Sequence, residues 1–186
     1  TSNESLWVLV DSEQLQSNIN TYQINNLESV LTATQFKGNF NETLPLFGQV
    51  SNQPHSQLLG LGKTAELQAV KLAKLAQTII KSTQNKFKHI AIDIAALPVE
   101  YHYLFALSLT QAAYGYDEFK SKKNEFVLQQ VDLISSTTSL DEKQLALVHA
   151  VQSGQSYARD LGNRPGNICF PEYLAEQALA LAAEFP

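Results

Sequence analysis

The chain of 186 residues has 13 basic and 18 acidic side chains, a net charge of -5 and a 44% hydrophobic fraction. That is apolar material for one folded core with a piece of a second domain, and it excludes a disordered chain. With no basic cluster longer than Lys120, Lys122 and Lys123 the acidic balance argues against nucleic acid as a partner, and the single cysteine, Cys169, excludes an internal disulfide.

Leu6-Trp7-Val8-Leu9-Val10 predicts a buried strand. Residues 26–35 predict a short helix, and 44–50 and 57–61 predict two strands joined as a hairpin across the turn formers of 51–56. The first strong helix is predicted over 64–81. There Thr64, Gln68, Lys71, Lys74, Gln77, Thr78 and Lys81 recur every three or four positions, with Leu67, Val70, Leu72, Leu75, Ile79 and Ile80 between them. Ile90, Ile92 and Ile94 alternate as in a strand. Pro98 suits the first turn of a helix running to about Tyr114, where Gly115 can supply a left-handed cap.

Residues 126–134 predict another strand. Ser139-Leu140-Asp141-Glu142 matches a capping box and opens a long helix to about Leu161, stopped by Gly162. Leu147, Val151, Gly154, Ala158 and Leu161 form one stripe of that helix, roughly 30 Å long. Residues 163–167 are rich in turn formers, and Pro171 opens a last helix with Leu174, Ala178, Leu181 and Phe185 on one face. That uncovered face leads to the expectation that the natural protein continues. Alternating strands and helices with an early hairpin predict an α/β fold on a mixed sheet. Without a signal-peptide pattern at the start, or an apolar run near the ~20 residues that span a bilayer, the expectation is a soluble cytoplasmic protein with no membrane contact; a removed leader would be invisible.

Few residues suggest chemistry. Gly60, Gly62, Lys63 and Thr64 lie between a strand and a helix, where a phosphate loop would lie, but Gln57 stands where the motif needs its first glycine. They remain candidates for a looser anion site at a helix N-terminus. The histidines His55, His89, His102 and His149 form no HExxH or His-x-x-x-His pattern; His89 and Asp93 share a strand face, and two ligands do not make a metal site. Asp117-Glu118 and Asp141-Glu142 are adjacent carboxylates that do not face one another on a helix, Cys169 has no evident activating base, and no serine sits in a nucleophile elbow.

One stretch is more specific. From Tyr157 to Ala175 the sequence keeps Arg159, Asp160, Asn163, Pro165, Asn167 and Pro171 and ends in Leu174-Ala175. It resembles the segment joining the two domains of the leucine aminopeptidase (cytosol aminopeptidase) family. Leu58 to Lys63 resembles that family's strand followed by GLGK, and Tyr116 to Lys123 resembles a further segment, so the resemblance runs from about residue 44 to the end. Phe170 departs from it: a threonine usual there could cap the next helix, and its loss weakens the helix start by ~1 kcal/mol.

The resemblance implies a macro-domain-like fold, a mixed sheet flanked by helices on both faces, with a long C-terminal linker helix. It partitions the chain into residues 1–138 as the N-terminal domain, 139–171 as linker helix and turn, and 172–186 as the start of a catalytic domain. It implies a metallo-aminopeptidase, a hexamer with two divalent metal ions, zinc or manganese, per active site, that releases N-terminal residues from peptides. The family's metal ligands and catalytic residues lie in the larger C-terminal domain, so no catalytic or metal residue carries over, and this segment alone is expected to be inactive. Its expected partners are its own catalytic domain and further copies of itself, with peptide reached only through that domain. The alternatives are a stand-alone module for a nucleotide or ADP-ribose-type ligand near Gly60 to Thr64, or a DNA-binding regulatory domain.

Overall fold

A computed structural model of the chain describes residues 4–185 apart from 21, 23, 25, 49, 51, 52, 54, 124 and 137–139. Its centre is β1 (Ser5–Asp11), in which all seven residues are buried. On one side β1 pairs in parallel with β3 (Ser56–Gly62), and β3 pairs antiparallel with the short β2 (Thr43–Pro45), Leu44 opposite Leu58. On the other side lie β4 (His89–Asp93) and then β5 (Gln130–Ile134), both parallel, giving the order β2-β3-β1-β4-β5. The mixed sheet and the antiparallel pairing of β2 with β3 are as the sequence predicts, but β2 stops at Pro45 instead of running to 50, because the chain turns at Phe47 and Gly48, where Gly48 has φ +64; residues 51, 52 and 54 of the predicted turn lie outside the described residues.

The chain steps one way from β1 to β3 and the opposite way from β3 to β4 and β5. Crossovers of constant hand then put the first connection on one face and the later ones on the other. So α1 (Leu15–Ile19) and α2 (Leu27–Thr34) cover Leu6, Val8 and Val10, while α3 (Ala69–Thr83) and α4 (His102–Ala113) cover Trp7 and Leu9. The alternation of β1 thus feeds two separate apolar clusters.

Several boundaries move for physical reasons. The helix predicted from Thr64 begins at Ala69: Thr64–Glu66 make one 3-10 turn, and Leu67 turns extended (ψ 135) to bury its side chain, its carbonyl accepting from the Tyr101 hydroxyl at 2.9 Å. Val70, assigned to the apolar face, is 74% exposed. The strand predicted from Phe126 is regular only from Gln130, because the Val127 and Leu128 amides both donate to the Gln84 carbonyl at the end of α3. Pro98 precedes a 3-10 turn, Val99–Tyr101, and α4 ends on Tyr114 in extended conformation, while Gly115 is not left-handed.

The last two helices are α5 (Glu142–Asn163) and α6 (Pro171–Glu184). Ser139 lies outside the described residues; the capping box at this start is made by Asp141, whose carboxylate accepts from the Gln144 amide at 2.7 Å while the Gln144 side chain accepts from the Asp141 amide at 3.1 Å. Gly162 does not stop α5. The helix ends one residue later, where Arg164 is extended (ψ 137) because Pro165 follows it. The expected stripe is also displaced: Val148 is the one buried residue of α5, and Leu147 is 51% exposed. α5 lies along α4, leaving an open apolar hollow of about 560 Å³ between Leu109, Leu128, Val131, Leu133, Leu145 and Val148. α6 opens on Pro171 without a side-chain cap from Phe170 and buries no residue. No helix among the described residues is long and apolar enough to cross a membrane.

Candidate functional site

The carboxyl ends of the parallel strands are where open α/β sheets bind ligands, and the GLGK segment lies there. Its glycines have packing reasons. A side chain on Gly60 would come within 2.1 Å of the Asn39 carbonyl, because residues 38–41 lie directly on β3, with the Asn41 amide donating to the Gly60 carbonyl at 2.8 Å. Gly62 has φ +71, which favours glycine.

The donors beyond them are already engaged. The Asp11 carboxylate, at the end of β1, accepts from the Thr64 hydroxyl at 2.5 Å, the Thr64 amide at 3.2 Å and the Glu13 amide at 2.7 Å. Burial alone would raise this carboxyl; the hydrogen bonds from Thr64, Glu13 and Gln14 together outweigh it and hold it below its usual value. Lys63 pairs with Glu13 at 3.1 Å. At the end of the neighbouring β4, Asp93 accepts from the Tyr22 hydroxyl, which burial and then Asp93 push well above the ordinary tyrosine range. A phosphate arriving here would meet two carboxylates.

The histidines are dispersed. His89 bonds Asp132 across to β5 at 2.8 Å rather than acting with Asp93. His102 is buried with Nε2 donating to the Leu97 carbonyl at 2.9 Å, and His55 lies tilted against Phe87, ring centroids 5.2 Å apart. Among the described residues no three His, Cys, Asp or Glu side chains gather to hold a metal ion, so these residues do not fit a hydrolytic metal centre. Cys169 is half-buried in the turn, its amide donating to the Pro165 carbonyl at 2.9 Å.

The linker residues, by contrast, converge. Tyr114, just past α4, receives three of them: its hydroxyl donates to Asp160 at 2.7 Å and accepts from the Asn163 amide nitrogen at 3.0 Å, and the Arg159 guanidinium lies 3.8 Å from its ring centroid. One turn later Arg164 forks onto Glu118 at 3.0 and 3.3 Å and also reaches the Tyr173 hydroxyl on α6. Glu118 holds the guanidinium pKa above its usual value. Tyr157 adds a contact at 3.1 Å to Gln177 of α6. Pro165 accepts two amides within the turn, from Ile168 and Cys169, and Pro171 starts α6. Asn163 therefore bonds a distant tyrosine, not nearby backbone as expected of a turn asparagine, and Asn167 is exposed. The residues the sequence leaves unmarked are Tyr114 and Tyr173. Tyr114 has partners 46 and 49 positions away, so no local pattern announces it.

Residues 8–123 match the model of the cytosol aminopeptidase family, N-terminal domain. A probable cytosol aminopeptidase of Acinetobacter baumannii is 94% identical across all of this chain, which covers 39% of that protein. One from Acinetobacter baylyi is 58% identical over 98% of the chain and 38% of that protein. Among solved structures, a mutant of tomato leucine aminopeptidase matches with TM-score 0.75 at 19% identity, over 99% of this chain and 40% of that one. A bottromycin maturation enzyme in complex with Mn matches with TM-score 0.73 at 15% identity, over 98% and 37%. At such identities the structural likeness speaks for the fold. The chain spans about two fifths of the length of the curated relatives it matches.

Proposed function

The chain belongs to the cytosol aminopeptidase family and carries its N-terminal domain, and from that premise we propose that it is the supporting, non-catalytic domain of a leucyl aminopeptidase acting in the cytoplasm. The whole protein would release N-terminal amino acids from peptides with two divalent metal ions, zinc or manganese, held by a catalytic domain outside this segment. Residues 1–138 would form the supporting domain, 139–171 the linker and 172–186 the first piece of the catalytic domain. The partners are that domain and, in a hexamer, further copies of the chain; peptide is reached only through the catalytic domain.

The observation that carries this reading is the convergence of the linker on Tyr114 and Glu118. Helix α6 is attached to the body by oriented hydrogen bonds and a guanidinium fork rather than by burial. Such contacts fix an angle, which is what a supporting domain has to deliver. The nucleotide and DNA alternatives gain no support, since the turn at Thr64 already holds Asp11 and the chain is acidic.

The test assays release of leucine from a leucyl-anilide, with zinc or manganese present, by this chain and by the full-length protein. Turnover by the long form only is the expected result. Turnover by the 186-residue chain would overturn the assignment of a non-catalytic role, and silence from both would overturn the aminopeptidase reading.

A further inference from the structure

The two arginines of the linker differ in one respect. Arg164 spends its guanidinium on Glu118. Arg159 has no carboxylate within ion-pairing distance among the described residues; its one partner is the face of Tyr114. That face is fixed, because Asp160 and Asn163 hold the hydroxyl from the same helix. A guanidinium stacked on a fixed ring keeps its in-plane N–H donors free and pre-oriented.

Those donors border a cleft of about 220 Å³ between α3, α4 and the C-terminal half of α5. Ala73 and Ala112 leave the room, and Gln77, Ser108 and Gln111 make the wall polar. Gln111 is committed to Gln155 at 2.9 Å and the Ser108 hydroxyl to the Leu104 carbonyl at 2.7 Å, which leaves the Gln77 amide as the donor nearest in kind to Arg159. Among the described residues no acidic one lines the cleft, although the chain as a whole carries a net charge of -5. A planar cationic fork, an amide donor and no competing anion match a carboxylate.

We propose that this cleft is a carboxylate-binding site in which Arg159 grips the anion with its guanidinium fork and Gln77 assists. The carboxylate is that of a free amino acid or peptide, or of an acidic side chain from the polypeptide beyond this segment; the chemistry of the site is the same for both.

Phenylglyoxal labelling of the full-length protein, read at Arg159 by peptide mass spectrometry in acetate and in chloride of equal ionic strength, tests the proposal and separates the sources. If a free carboxylate is the ligand, Arg159 reacts in chloride and is protected about tenfold when acetate stands at ten times its dissociation constant. Acetate then also raises the thermal midpoint relative to chloride. That increment disappears in Arg159→Gln, shrinks in Arg159→Lys, and survives in Lys143→Gln, which removes a charge on the same helix outside the cleft. If the polypeptide supplies the carboxylate, Arg159 is shielded in both salts and stays shielded in Tyr114→Leu. Shielding that vanishes in Tyr114→Leu marks simple stacking and overturns the site, as does full, unshielded labelling in both salts.

Discussion

The sheet and the C-terminal arm are held by different means. Every residue of β1 is buried, whereas α5 buries Val148 alone across 22 residues and α6 buries nothing. The body draws its stability from apolar burial, at about 25 cal/mol per Å², a force with no direction. The arm is held by Tyr114, Arg164 and Glu118, contacts that contribute little energy near the surface but demand one geometry. One region keeps the fold, and the other sets where α6 points.

The largest expected effect sits in the body. Gly60→Ala puts a methyl 2.1 Å from the Asn39 carbonyl and 2.5 Å from Gly38 backbone, which no rotamer relieves. It should cost at least ~3 kcal/mol in urea unfolding or prevent folding. Next comes Asp11→Asn, which leaves one accepting oxygen where the carboxylate used two, for Glu13 and for Thr64, and should cost about 2 kcal/mol at neutral pH. Its pH dependence has a definite sign. The folded carboxyl titrates below the unfolded value of about 3.9, so its contribution is complete above that pH and is lost as the pH falls through the folded value. Wild type and Asp11→Asn should therefore converge in acid; a gap that persists there would contradict the role given to the charge.

In the arm the expected effects are smaller. Tyr114→Phe removes the hydroxyl shared by Asp160 and Asn163, costing about 1 kcal/mol, and should speed limited proteolysis in residues 163–171 while leaving β1 protected. Smallest is Gly154→Ala. Nothing lies within 4 Å of the added carbon, so helix propensity alone decides and the change should stabilise α5 by up to ~1 kcal/mol, seen as a raised melting midpoint. The same exchange of glycine for alanine thus has opposite signs in the two regions.

This difference also governs what could be read from the sequence. The unbroken apolar run Leu6 to Val10 reports burial on both faces of a sheet, and it and the alternating Ile90, Ile92 and Ile94 located β1 and β4 correctly. Leu67 broke the helix pattern because one deep side chain outweighed the local preference, and the predicted stripe with Leu147 did not become the buried face because periodicity cannot say on which side α4 lies against α5. Arg159, Asp160 and Asn163 were singled out by their resemblance to a family segment, but the side chain they meet, Tyr114, is far away in sequence and unmarked by any spacing. Gly60 and Gly62 suggested a phosphate loop because close backbone approach requires glycine whatever approaches, and here it is the chain's own residues 38–41.

Amide hydrogen exchange on the 186-residue chain and on the full-length protein tests the two-region account most directly. The account predicts equal strong protection of β1, β3 and β4 in both, with α6 exchanging fast in the short chain and slowly in the long one, where its exposed Leu174, Leu181 and Phe185 gain cover. Strong protection of α6 in the short chain, or loss of protection in β1 there, would contradict it.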